Sequence, residues 1–154
     1  MQTLRLSALA LLLLLTCVSC RRSEGPEAEI RQVIEEMEEA AEAGDIGGIM
    51  EHLTDDYSDG DSNDKASLRG MLFIQLQRSG SVNVTKRIDT IEITEAGDEA
   101  DVVVYAGLSD GPLTAGSTRA DVFRFDLVFR LDSRDWVVYR AARSSANLGS
   151  LLGG

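Results

Sequence analysis

Proton-transfer chemistry needs a carboxylate or an imidazole, and this 154-residue sequence holds 26 acidic residues but only one histidine. That histidine, His52, stands just before Asp55 and Asp56, and Tyr57 and Asp59 follow within "DDYSDGDSND". A carboxylate serves as a general acid or base near neutral pH when an apolar wall desolvates it and raises its pKa. His52 falls at the end of an apolar-periodic segment, where a helix C-terminus favours a charged imidazole. A surface cap is therefore its first reading and a pocket-mouth acid its second. "DDYSDGDSND" reads first as a solvated acidic loop. Asp121 shares parity with Phe123 and Phe125, so it is either a base at the end of an inward row or the exposed last residue of a strand. Asp59, Asp61 and Asn63 offer oxygens at alternate positions, as a calcium loop does. Asp64 stands where such a loop needs glycine, and Gly70 where it needs a bidentate glutamate, so no metal site and no cofactor is assigned. The sequence contains no P-loop, HExxH or zinc set.

The only two cysteines, Cys17 and Cys20, end an apolar run in "LLLLLTCVSCRRS". Leu6 to Leu15 carries no charge and follows Arg5. That is the length of a signal h-region and too short to span a bilayer, which takes roughly 20 apolar residues. The finish "VSC" resembles the lipobox of bacterial lipoproteins, in which a small residue precedes the cysteine that is acylated after the chain is cut before it. The resemblance implies a signal peptide over 1–19, lipidation of Cys20, and loss of Cys17. Cys17 occupies the place where the lipobox usually has leucine. Reading Cys17 as the anchor would put Thr16 before the cut, a poorer fit. Arg21 follows the cysteine where an aspartate would retain the protein, so the resemblance implies the outer membrane with the domain facing the periplasm. Residues 20–26 then form the lipidated cysteine and a tether.

The formal net charge is -11, which repels nucleic acid phosphates and argues against DNA or RNA as a partner. Hydrophobic residues make up 44% and charged residues 27%, enough for one ordinary core under a solvated surface. With both cysteines before residue 21, no disulfide framework is expected.

The elements that must position the acids can be read from periodicity. Ile30, Val33, Ile34, Met37, Ala40 and Ala41 recur at helical spacing, ending at Gly44, with Asp45 placed to cap the next helix. Ile46, Ile49, Met50 and Leu53 mark a short second helix. Asn63 is the expected cap of a third, with Leu68, Met71, Leu72 and Leu76 as its apolar set, widened by Phe73 and Ile74, and Gly80 as its stop. Four strands follow. "SVNVTKRIDTIEIT" alternates, but its apolar parity shifts from Val84 and Ile88 to Ile91 and Ile93, which predicts a bulge near Asp89 and Thr90. Gly97-Asp98 marks a hairpin tip. "DVVVYAGL" is the second strand, and "SDGPLTAGST" a polar loop. "RADVFRFDLVFRL" carries Phe123, Phe125, Leu127, Phe129 and Leu131 on one face. "DSRD" turns into "WVVYRAARS". Tyr105, Trp136 and Tyr139 read first as packing, and Arg124, Arg130 and Arg140 as partners of acids on the outer face. Residues 146–154 are expected to form a flexible tail, with docking through Leu148, Leu151 and Leu152 as the second reading.

Three helices and an antiparallel meander make an α+β domain over 27–145. "AEAGDIGGIMEHLTDDYSD", "NDKASLRGML" and the strands ending "WVVYRAA" resemble the nuclear transport factor 2-like superfamily, which includes SnoaL-like cyclases and ketosteroid isomerase-like proteins. The resemblance implies a cone in which a curved sheet wraps the helices and leaves a pocket open at one end. It also implies a short pocket-lining strand near Tyr57 and Asp59. Enzymes of this superfamily use a pocket Asp or an Asp–His pair, and here the candidates are Asp59, Asp121 and His52. Tyr57, Phe123 and Trp136 are the candidate ligand-binding residues. With no clear Asp–His or Tyr–Asp signature, a noncatalytic envelope lipoprotein that binds a small apolar ligand or a protein is the expected function. The alternatives are a small isomerase, dehydratase or cyclase, and a module that forms a homodimer through its outer sheet face.

Overall fold

A computed structural model describes residues 25–61, 63–79, 83–109 and 121–153. The signal peptide, Cys20, Gly80, Val82 and all of the polar loop except Ser109 lie outside the described residues. Helix α1 spans Pro26–Ala43, with proline at its first position, where the missing amide hydrogen costs nothing. It ends where expected: Gly44 adopts φ 68°, a left-handed conformation glycine accepts freely, and the amide of Asp45 closes onto the Ala40 carbonyl at 2.8 Å. Asp45 caps α2 (Ile46–Glu51) by accepting from the Gly48 amide at 3.0 Å.

The second helix is shorter than its apolar spacing suggested. Leu53 opens strand β1 (Leu53–Asp59), the short strand implied by the family resemblance. Helix α3 (Lys65–Ser79) is capped by Asp64, which accepts from the Ser67 amide at 2.8 Å. Asn63 does not cap it; its side chain turns back to Asp59 instead. The meander follows as β2 (Asn83–Ile93), β3 (Glu99–Ser109), β4 (Asp121–Asp132) and β5 (Asp135–Ser145). The sheet order is β1-β5-β4-β3-β2, with β1 parallel to β5 and the other pairs antiparallel. The fold is therefore α+β, with a five-stranded curved, open sheet in place of four strands.

The bulge read from the slipped parity is present: pairing of β2 with β3 shifts between Ile88 and Thr90. It keeps Ile88 and Ile91 on one face, opposite Val104 and Val102. The same face of β4 carries Phe129, Leu127, Phe125, Phe123 and Asp121, opposite Ala100, Val102, Val104, Ala106 and Leu108. Ile30 and Ile34 of α1, and Ile49 and Met50 of α2, bury their side chains against it. This is the concave face.

The chain end departs from the expected frayed tail. Helix α4 (Leu148–Leu152) forms, capped by Asn147, with Leu151 only 3% exposed. It packs against β3 and β2, and Arg87 donates to the Ser150 carbonyl at 2.6 and 2.9 Å. One buried leucine and two arginine N–H donors on one carbonyl oxygen act against the entropy of ordering five residues. Among the described residues, no helix is long and apolar enough to cross a membrane.

Candidate functional site

Burial along the inward row of β4 is greatest at Phe129 and falls toward both ends, at once to Leu131, 36% exposed, and over a longer half-buried run toward Asp121. Phe129 is fully buried, Leu127, Phe125 and Phe123 are half-buried, and Asp121 is exposed. The half-buried run, with its two phenylalanines, marks the Asp121 end as the open end of the concave face. Phe123 and Phe125 meet edge to face there, with ring centroids 6.3 Å apart, and form its apolar wall. Pairing of β4 with β5 sets Arg143 opposite Phe125 on the same face, and its guanidinium lies 5.0 Å from the Phe123 ring centroid.

The two edges of the opening are polar. On the β2 side, Lys86, opposite Ala106, pairs with Glu38 and lies 3.4 Å from Glu35, both on α1. On the β1 side stands Asp59, paired with Ala141. Its carboxylate accepts from the amides of Asp61 and Asn63 at 2.9 and 2.8 Å and from the Asn63 side chain at 2.9 Å. Burial pushes the Asp59 carboxyl up, but these hydrogen bonds, with the nearby Arg143 charge, outweigh it and hold the group below its ordinary range. A carboxylate so held is a poor proton shuttle at neutral pH. Its work is to close the turn between β1 and α3.

The other predicted residues are dispersed. His52 caps α2, its Nε2 3.5 Å from Glu36 Oε2, and its carbonyl accepts from the Val138 amide at the start of β1. That is the capping role, remote from Asp59 at the far end of the strand. Asp55 and Asp56 do not face it: Asp55 lies 3.3 Å from Lys65, and Asp56 pairs with Arg130 at 2.8 Å. Trp136 is 3% exposed and sits opposite Leu131, at the other end of β4 from Phe123. It belongs to the core, away from Phe123 and Phe125. Tyr57 is 5% exposed and also joins the core; burial first, then the Asp59 charge, push its phenol up to about 12. Phe123 and Asp121 thus share one end of the inward row of β4, Arg143 lies beside both Phe123 and Asp59, and His52 and Trp136 stand apart from them. On the outer face, Arg124 pairs with Asp126 at 2.6 Å, while Arg140 stacks on Tyr139 at 5.3 Å.

Two cations of this face, Lys86 and Arg143, were not singled out from the sequence. Lys86 shares parity with Val84 and Ile88, and a cation in an apolar row was a readable signal. Arg143 carried no such mark.

Asp59 yields an acid-stability prediction. Its folded pKa is lowered, as are those of Asp56, by Arg130, of Asp64, by the Ser67 amide, and of Asp126, by Arg124. Such groups contribute stability that is complete above their unfolded pKa of about 4 and is lost as pH falls through the lower folded values. Urea midpoints should therefore drop steeply below about pH 4. In Asp59→Asn, which keeps an acceptor but cannot titrate, the drop should be shallower; an identical slope would show that Asp59 is not a linked group.

The fold is similar to that of solved nuclear transport factor 2-like proteins. A nuclear transport factor 2-like protein from Shewanella oneidensis MR-1 superposes with a TM-score of 0.61 at 17% identity, covering 78% of this chain and 99% of that one. Another, from Pseudomonas putida KT2440, gives 0.61 at 20% identity over 81% of this chain and 90% of that one. A ketosteroid isomerase-like protein from Erwinia carotovora atroseptica SCRI1043 gives 0.59 at 17% identity, over 78% and 95%. At these identities the likeness is one of fold, which hosts both binders and enzymes and does not choose between them. No protein-family model and no curated protein matches the sequence.

Proposed function

We propose that the protein is a lipid-anchored component of the bacterial envelope whose domain binds a small ligand at the open end of its concave face, without catalysing a reaction on it. The observation that carries the reading is the division of labour at that opening. Phe123 and Phe125 offer a half-buried aromatic wall, while the acid beside them, Asp59, is committed to a turn and held ionised. Asp121 stands at the exposed lip, beyond the aromatic wall. His52, the other candidate acid, serves α2 and Glu36. The anchoring half of the proposal rests on Leu6 to Leu15, Ser19 and Cys20. Acyl chains on Cys20 would hold the domain at the outer membrane, facing the periplasm, since each buried methylene adds about 0.8 kcal/mol.

Both halves can be tested in one host. The wild-type chain is expected to take up labelled palmitate and fractionate with membranes, and Cys20→Ala to take up none. A wild type without label overturns the anchor, and a labelled Cys20→Ala moves it to Cys17. Native mass spectrometry of the gently purified protein should show a reproducible added mass beyond the acyl chains. A mass equal to the acylated chain alone, or to its dimer, would favour a protein-interaction module.

A further inference from the structure

The concave face carries two cations among the described residues, and they are treated differently. Lys86 is 14% exposed and held by two glutamates of α1. Arg143 is exposed at the opening, stacked on Phe123, with no carboxylate within 4.0 Å among the described residues. The strand pairing aims it inward: Arg143 shares its face with Phe125, Ala141 and Leu127, while Arg140 and Val137 of the same strand face outward. Asp59 stands beside it but spends its oxygens on Asp61 and Asn63. The result is a planar five-donor group, steadied by an aromatic ring, with its donors unspent at the edge of an apolar wall.

We infer that the ligand of this opening is a small apolar acid, its apolar body against Phe123 and Phe125 and its carboxylate on the Arg143 guanidinium. A guanidinium matches a carboxylate with two parallel N–H···O bonds, and these are the stronger class of hydrogen bond. An aromatic wall alone would take neutral and charged molecules of one shape alike. Arg143 makes the site discriminate, and does so against the protein's overall negative charge. The inference rests on the ligand-binding reading above and adds the chemical class.

The probe pair is 2-naphthoate and 2-naphthylmethanol, alike in shape and different in charge, titrated calorimetrically into the full chain. The acid is expected to bind about tenfold tighter than the alcohol or better. Arg143→Gln should erase that preference while leaving the alcohol's affinity unchanged. Phe123→Ala should weaken both probes together. If both probes bind the wild type equally, or if Arg143→Gln keeps the preference, the role of Arg143 is overturned while the ligand-binding reading stands. If neither probe binds at concentrations where aromatic acids remain soluble, both fall together.

Discussion

Phe129→Ala is expected to destabilise the domain by about 3–5 kcal/mol, the range for truncating a fully buried phenylalanine. The ring is 0% exposed and sits on the middle strand of the sheet, opposite Ala100 on β3 and Val138 on β5. Ala100 is itself 0% exposed and has no side chain to swing into the gap, and Val138, 1% exposed and β-branched, has little rotamer freedom with which to fill it. The cavity would therefore persist, and cavity volume adds to the lost transfer energy. Small domains have only about 5–15 kcal/mol in all, so the variant stands near the edge of folding. Phe129→Leu, which keeps most of the volume, should cost less than half as much. Urea unfolding followed by circular dichroism measures both: the midpoint should fall while the slope stays unchanged. A loss under about 1 kcal/mol for Phe129→Ala would mean that the core is not centred on β4.

The parts of the fold written in short-range signals were legible in the sequence, and the parts that depend on distant partners were not. Gly44 and Asp45 fix a helix end and a helix start through their own backbone preferences, and both act as read. The β2 bulge was legible because it left a trace in parity. β5 contains a bulge as well: its pairing with β4 shifts between Val128 and Phe129, leaving Tyr139 as the extra residue. Counting by twos from Trp136 and Val138 puts Arg143 outside. The bulge carries Ala141 and Arg143 inward, and the small residues of "RAAR" give no apolar trace of that turnover. The key cation of the opening was thus hidden by one inserted residue. Asn63 was expected to cap α3, but Asp59 claims its side chain and the next residue, Asp64, caps the helix instead. Helix α3 shows the opposite failure. Met71, Phe73 and Ile74 satisfied a helical spacing yet remain 45–54% exposed, because the helix packs against β1 and α2 and leaves that side uncovered.

Lys86→Met is expected to cost about 2–3 kcal/mol, although methionine fits the apolar row of Val84 and Ile88 and introduces no polar atom. The cost lies in what is left behind. Glu38 is 18% exposed at its side chain and would keep a carboxylate largely out of water with no cation beside it, next to Glu35. Removing one partner of a fully buried pair costs about 3–5 kcal/mol, and the 63% exposure of Glu35 lets solvent relieve part of that. Neutralising the remaining carboxylate should therefore rescue the variant: Lys86→Met with Glu38→Gln is expected to recover more than half of the loss. A double-mutant cycle of urea midpoints isolates the pair term. Additive single effects would show that the ion pair is decorative, and that packing alone holds α1 to β2. A positive coupling would show that the cation seats the last turns of α1, where Glu42 also accepts from the Val84 amide at 2.9 Å. Those turns form one edge of the opening, so Lys86→Met should also weaken both naphthyl probes equally, without altering the preference that Arg143 imposes.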